Sequence, residues 1–288
     1  MTPAALVAAA LLFALPPQHA AAPRPPSPPL PPSDAECPAL PQPRGPFSFG
    51  AGEVLEFDLD ALGLQAGKLY LRVLPPDKEK GSALPIQAEA KNSTFFAKIR
   101  KVSGGGTSYL HPKTLRPVRY IEDTVEDDIH RWADVVFKPK EHAASLQYKE
   151  NEDAHSNELK FGNEALDLVG SIYLLRQLPL NVGMPLCFDA YGVRRVWRVF
   201  GQVKEREHIS LPIGEFDAFH ISGMAIRLDN PNLPKNRREI HLWISDDAKH
   251  LPLVTMGVID IGAIRATLTA ITRPDARTRA QGKESLKW

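Results

Sequence analysis

One rhythm governs this chain: short runs of alternating apolar and polar residues, separated by turns and interrupted once by a helical period. "EVLEFDLDAL" places Leu55, Phe57 and Leu59 on one face, as a half-buried strand requires, because successive side chains of an extended backbone point to opposite sides. The pattern recurs in "GKLYLRVL", "PIQAEAKN", "TFFAKIRKV", "RPVRYIED", "HRWADVVFK" and "ASLQYKE". It resumes in "PLCFDAYG", "RRVWRVFGQVKERE", "FDAFHISGMAIRLD", "REIHLWIS", "LPLVTMG" and "GAIRATLTAIT". Between the two sets, "NEALDLVGSIYLLRQLP" offers Asn163 as N-cap and Pro179 as a stop, predicting a helix over about 163–178. Its apolar positions run nearly all round, which predicts burial on most sides. About a dozen strands and one buried helix, without a break in composition, predict a mostly β fold. The expected architecture is a strongly curved antiparallel sheet, or incomplete β-barrel, enclosing the helix. Two domains with the helix at their junction are the alternative.

Around this domain, predicted over 47–273, the composition changes. "MTPAALVAAALLFALPPQHAAAP" carries an apolar run from Ala4 to Leu15 and small residues at Ala20–Ala22. It reads as a signal peptide over 1–22, too short to span a bilayer as a helix. Residues 23–46 contain 11 prolines, enough to force an extended, solvated linker. From 274 to 288 the chain is a polar tail. An exported chain can oxidise its thiols, and the two cysteines, Cys37 and Cys187, form a candidate disulfide that would pin the start of the chain to the domain.

Chemistry is scarce. With 35 basic and 34 acidic residues there is no polyelectrolyte signature and no nucleic-acid module. The nine histidines show no metal-ligand spacing, and no nucleophile elbow, phosphate loop or dinucleotide fingerprint occurs. No catalytic, cofactor-binding or metal-ligating residue is therefore assigned. "SGGGTS" reads as a hairpin loop. "WISDDAKHLPL" puts Asp246, Asp247 and His250 on a turn between strands, where carboxylates lack the low-dielectric setting of acid–base groups. Arg194, Arg195, Arg198, Lys204 and Arg206 are a candidate patch for an anionic surface. The blander reading is a solvated β face whose long stems cover apolar area.

The succession "GEVLEFDLDALGLQAGKLYLRV", "LDLVGSIYLLRQLPLNVGMPL", "ISLPIGEFDAFHISG" and "IHLWISDDAKHLPLVTMG" resembles the bacterial domain of unknown function 3108 family, over roughly Phe47–Thr272. The resemblance implies an exported or envelope protein and carries no catalytic residue onto this chain. At fold level the curved sheet around a helix is also similar to the periplasmic lipoprotein carriers, which hold acyl chains in a half-barrel. The expectation is a non-enzymatic protein of the bacterial periplasm or envelope, binding a hydrophobic or amphiphilic ligand, or a partner, in the concavity. Lipid or another envelope component is the expected partner, with no nucleic acid, cofactor or transmembrane span. The alternative is a scaffolding module whose helix leaves no cavity. A hydrolase assembled from His220, His241 and Asp260 ranks last.

Overall fold

The computed structural model describes residues 37–61, 63–76, 82–98, 101–192, 195–229, 231–233, 236–259 and 262–273. The expected signal peptide, the first part of the linker, Arg194, Asp260 and the polar tail lie outside the described residues. A 15-stranded sheet holds the rest. Its strands are β1 (Val54–Ala61), β2 (Leu64–Val73), β3 (Leu84–Asn92), β4 (Val102–Leu110), β5 (Pro117–Glu126), β6 (Ile129–Lys138), β7 (Ala143–Glu150) and β8 (Asp153–Lys160). They continue with β9 (Ala165–Asp167), β10 (Pro185–Gly192), β11 (Arg195–Leu211), β12 (Gly214–Arg227), β13 (Arg237–Ser245), β14 (Pro252–Ile259) and β15 (Gly262–Thr272). One helix, α1 (Leu168–Leu175), follows β9.

The order across the sheet is β8-β7-β6-β5-β4-β3-β2-β1-β15-β14-β13-β12-β11-β10-β9. Two antiparallel meanders thus meet where β1 pairs with β15, and β9 alone runs parallel to its neighbour β10. The two edges, β8 and β9, are consecutive in sequence. Only Phe161–Glu164 separate them, so their ends lie within about 18 Å of each other at full extension of the chain. Such a sheet has to bend round on itself, and because no ladder joins β8 to β9 it stays open along a seam.

Phe161–Glu164 clasp that seam. Phe161 is buried and stacks on Phe137 of β6, and its N–H donates to the His142 carbonyl. The next two N–H groups, of Gly162 and Asn163, both donate to Asp189 Oδ2 on β10, at 2.8 and 3.0 Å. Asp189 is fully buried, and Arg198 of β11 donates to it from Nε at 2.6 Å and Nη2 at 3.2 Å. The Asn163 side chain accepts the Cys37 N–H at 2.7 Å, and Cys37 is bonded to Cys187 of β10. The predicted disulfide therefore closes over the clasp. Cys37–Pro46 also differ from a solvated spacer: Leu40 is buried, and the Arg44 N–H donates to the Gln177 carbonyl at 2.9 Å.

The helix is shorter than its sequence pattern. Its N-cap is Asp167, not Asn163, and the Asp167 carboxylate accepts the Gly170 N–H at 2.7 Å. Ala165–Asp167 extend along β10 instead, and a short apolar run cannot distinguish strand from helix by period alone. Val169, Gly170, Ser171, Tyr173, Leu174 and Leu175 of α1 are buried, whereas Leu168 is exposed. Beyond the helix, the Arg176 guanidinium is fully buried. It meets Glu53 at 2.6 Å, donates to the His250 carbonyl at 3.1 Å and lies 4.9 Å from the ring centres of Phe49 and Tyr173.

Two other strand assignments change. The glycine run is not a loop but the heart of β4. A Cβ on Gly105 would meet the Ala88 carbonyl oxygen at 1.8 Å, and one on Gly106 the Tyr120 hydroxyl at 2.2 Å. Glycine is needed there because Tyr120 crosses the strand to reach Tyr191, 5.8 Å away between ring centres. "TFFAKIRKV" turns at Thr94 and holds a single 3-10 turn, Phe96–Lys98, before β4 starts.

Candidate functional site

Along the seam lies a cavity of about 440 Å³ whose walls come from opposite ends of the sheet. Leu146 and Tyr148 of β7, with Asn157, Leu159 and Lys160 of β8, form one wall. Arg195 and Val196 of β11, with Leu228 and Asp229 just after β12, form the other. The pleat explains the first wall: Leu146 pairs with Asn157 and Ala144 with Leu159, so alternate residues of two strands face the same way. On the second wall, Val196 is two residues before Arg198 and so shares the face that meets Asp189. Its lining mixes apolar Leu146, Leu159, Val196 and Leu228 with polar and charged side chains; Lys160 pairs with Glu158, and Arg195 lies 3.6 Å from Asp229. A volume of this size falls within the ~300–1,000 Å³ usual for small-molecule sites, which combine an apolar lining with a few polar groups.

The candidate arginine patch is not assembled. Arg198 points inward to Asp189, because strand alternation places it on the face opposite Trp197. Arg206 pairs with Asp246 at 2.6 Å and lies over the Phe219 ring, while Arg195 serves the cavity rim. A β-bulge between Val203 and Glu205 shifts the alternation at Lys204. Arg194 is outside the described residues.

The turn after β13 is a turn, as its sequence implies. The Asp247 carboxylate accepts from the N–H groups of Lys249 and His250 and from the Ser245 hydroxyl, an Asx-type arrangement that closes the backbone locally. The His250 ring Nδ1 donates to the Arg176 carbonyl at 3.0 Å, tying the turn to the end of α1.

His220 and His241, named only in the hydrolase reading, do meet. His220 Nε2 lies 3.0 Å from His241 Nδ1, and the His220 ring stacks on Trp243 at 4.3 Å. Burial pushes the His220 imidazole below its ordinary pKa, and the neighbouring Glu207 partly offsets this. No spacing signalled the pair, because the two residues are cross-strand diagonal neighbours on β12 and β13.

One deeper polar group was also missed. Asp167 is completely buried, where it accepts the Ser108 hydroxyl at 2.6 Å and the Gly170 N–H. Desolvation raises its pKa to about 6 against the pull of those hydrogen bonds.

The family described as Protein of unknown function (DUF3108) matches residues 56–269. The chain belongs to this family. No curated protein matches it. A crystal structure of a β-barrel-like protein of domain of unknown function DUF1849 from Brucella abortus superposes on this DUF3108 member with a TM-score of 0.54. It is 9% identical, and the match covers 78% of this chain and 99% of that one. The likeness is one of fold. A candidate exported protein with YmcC-like fold from Bacteroides fragilis matches at a TM-score of 0.30 and 10% identity, over 79% of this chain and 98% of its own. A candidate lipoprotein from Parabacteroides distasonis matches at 0.32 and 9%, over 78% and 98%. Neither is close enough to bear on the fold. Among the described residues, no helix is long and apolar enough to cross a membrane.

Proposed function

We propose that this DUF3108 protein is a non-enzymatic, exported component of the bacterial envelope that holds an amphiphilic molecule in the seam cavity. The observation that carries the reading is the cavity's mixed lining, in which apolar Leu146, Leu159, Val196 and Leu228 would form a floor and charged Lys160, Arg195 and Asp229 a rim. An acyl chain buried on that floor gains about 0.8 kcal/mol per methylene, while the rim keeps a polar head in water. The rim charges are held in ion pairs, an arrangement suited to retaining a ligand rather than converting it. The proposed binding place is the seam and not the neighbourhood of α1, whose Tyr173 and Leu174 are fully buried.

The test is titration of the delipidated domain with a fluorescent fatty acid, followed by Leu159→Arg. Uptake of one equivalent, weakened at least about tenfold by a charge on the floor, is the expected result. Absence of uptake by the wild-type domain, together with no lipid in organic extracts of the purified protein, would overturn the reading. The scaffold alternative rests on the filled concavity, and that outcome would favour it.

A further inference from the structure

On the sheet face opposite the core residues Phe219 and Ile221, a second polar cluster is built across three strands. Glu205 lies opposite His220 in the β11–β12 ladder, and Glu207 follows two residues on along the same face. One donor atom from each of Glu205, Glu207 and His220 lies within 4.8 Å of the others. We propose that these three residues bind one divalent transition-metal ion of the zinc class.

The donor set is one imidazole nitrogen and two carboxylate oxygens, a combination that suits zinc rather than calcium or magnesium, which prefer oxygen alone. Bonds of ~2.0–2.2 Å in tetrahedral coordination separate ligand atoms by about 3.3–3.6 Å. To reach that spacing Glu205, whose side chain is exposed, has to draw in, while His220 Nδ1 and Glu207 Oε1, 2.7 Å apart, have to part by under an ångström. His220 Nδ1 and Glu207 Oε1 approach to 2.7 Å, yet Nδ1 is buried and makes no aligned hydrogen bond. Two donor atoms brought together out of hydrogen-bond alignment can both turn toward a third centre.

The surroundings match what a metal-bound histidine requires. Such a ligand donates its other ring N–H to an acceptor, which fixes its tautomer and orientation. Here His220 Nε2 faces His241 Nδ1 at 3.0 Å, and His241 Nε2 faces Glu239 at 3.1 Å. Protons on the two Nε2 atoms satisfy both contacts and leave His220 Nδ1 as a free donor to the ion. Trp243 donates its indole N–H to Glu207 Oε2 at 2.9 Å, which orients the carboxylate and leaves Oε1 for the metal. His241 and Trp243 are thus positioning residues and His220, Glu205 and Glu207 the ligands. The bulge between Val203 and Glu205 is what sets the two glutamates on this face.

The experiment is calorimetric titration of the chelator-treated full-length protein with zinc chloride, repeated with cobalt chloride in the spectrometer. One equivalent should bind, with Co²⁺ giving visible absorption and quenching Trp243 emission, a signal lost in Trp243→Phe. His220→Ala and Glu207→Gln should each weaken binding by about 100-fold or more, and His241→Ala by about 10–100-fold, the range for a residue that orients a ligand. His208→Ala, which alters an exposed histidine ion-paired with Asp217 and Glu215, should leave binding unchanged. Circular dichroism confirms that each variant is folded, and Glu205→Gln, on an exposed side chain, serves if His220→Ala is not. No saturable binding by the wild-type protein overturns the proposal. So does binding that survives His220→Ala and Glu207→Gln at wild-type affinity.

Discussion

Asp167 makes the stability of this protein depend on pH in a direction opposite to that of most ion-paired carboxylates. Paired carboxylates usually have depressed pKa values and lose their contribution in acid. Asp167 has no cationic partner among its contacts: it accepts from the Ser108 hydroxyl and the Gly170 N–H, and burial outweighs both. Its pKa rises from 3.8 to about 6. Below 3.8 the carboxyl is protonated in both folded and unfolded chains, and its contribution is fully present. Between 3.8 and about 6 the unfolded chain releases a proton that the folded chain retains, so stability falls as pH rises. Above about 6 both forms are ionised and the loss levels off. A shift of this size corresponds to roughly 3 kcal/mol at about 1.36 kcal/mol per unit.

Asp167→Asn keeps an acceptor for Gly170 and can donate to Ser108, but it does not titrate. Urea unfolding of both proteins at pH 4 and pH 7, compared as a difference of differences, isolates the group. His220, with its lowered pKa, works in the opposite sense and cancels in that comparison. Because the unfolded carboxyl is already more than half ionised at pH 4, the wild type should lose about 2 kcal/mol more than the variant between the two pH values. Parallel pH profiles for the two proteins would refute the reasoning. Asp167→Ala should be destabilised at both pH values by about 2–4 kcal/mol, because it also removes the helix cap and leaves the buried Ser108 hydroxyl unpaired.

Reduction of Cys37–Cys187 releases a loop of 150 residues, worth about 5 kcal/mol in the chain-entropy model; a shift of the urea midpoint with reductant measures it, and an unchanged midpoint would show the strap to be energetically idle. Arg176→Ala leaves the buried Glu53 with only the part-exposed Arg273, 3.4 Å away, and should cost about 2–4 kcal/mol, whereas Arg176→Met with Glu53→Gln should cost less; equal losses in denaturant titrations would count against the pairing. Gly106→Ala drives a methyl group into Tyr120 and should destabilise by about 1–3 kcal/mol in denaturant titrations; Tyr120→Phe should relieve only part of this, because ring carbons at 2.5 and 2.8 Å remain. Asp189→Ala should open the clasp, cost about 3–5 kcal/mol and raise hydrogen exchange at Gly162 and Asn163 ahead of global unfolding.

Alternation made most strands legible because one face of each is pressed on the core, and that pressure leaves its mark at period two. Where there is no buried face there is no mark. β8, "DAHSNELK", is an edge strand exposed along nearly its whole length, and its sequence is that of a loop. β4 looks like a loop in sequence for the converse reason, since its glycines answer to the neighbouring backbone of β3 and the ring of Tyr120, which only the folded sheet brings there. The arginines of β11 look like a patch in one dimension and are sorted by pleat and bulge in three. The seam cavity leaves no trace in the sequence, and the His220–His241 contact, although both residues enter the hydrolase reading, has no spacing to signal it, as each joins residues related only through ladder register or curl.

The clasp gives the seam cavity its meaning. A meander of this length could have closed by pairing β8 with β9, which would satisfy both edges. Instead β9 is three residues long and parallel, and β8 is left as a polar edge. The closing contacts are delegated to Phe161, Asp189, Arg198 and the disulfide, all at one end of the seam. A sheet fastened at one end and unpaired along the rest can widen there without breaking any ladder hydrogen bond. The centre of the concavity has no such freedom, because α1 is anchored by Asp167 at its start and Arg176 at its end. On the proposed reading, a ligand in the seam would meet the β8 edge rather than the helix, so binding should raise hydrogen-exchange protection in β7 and β8 and leave α1 unchanged; protection gained in α1 alone would count against the seam.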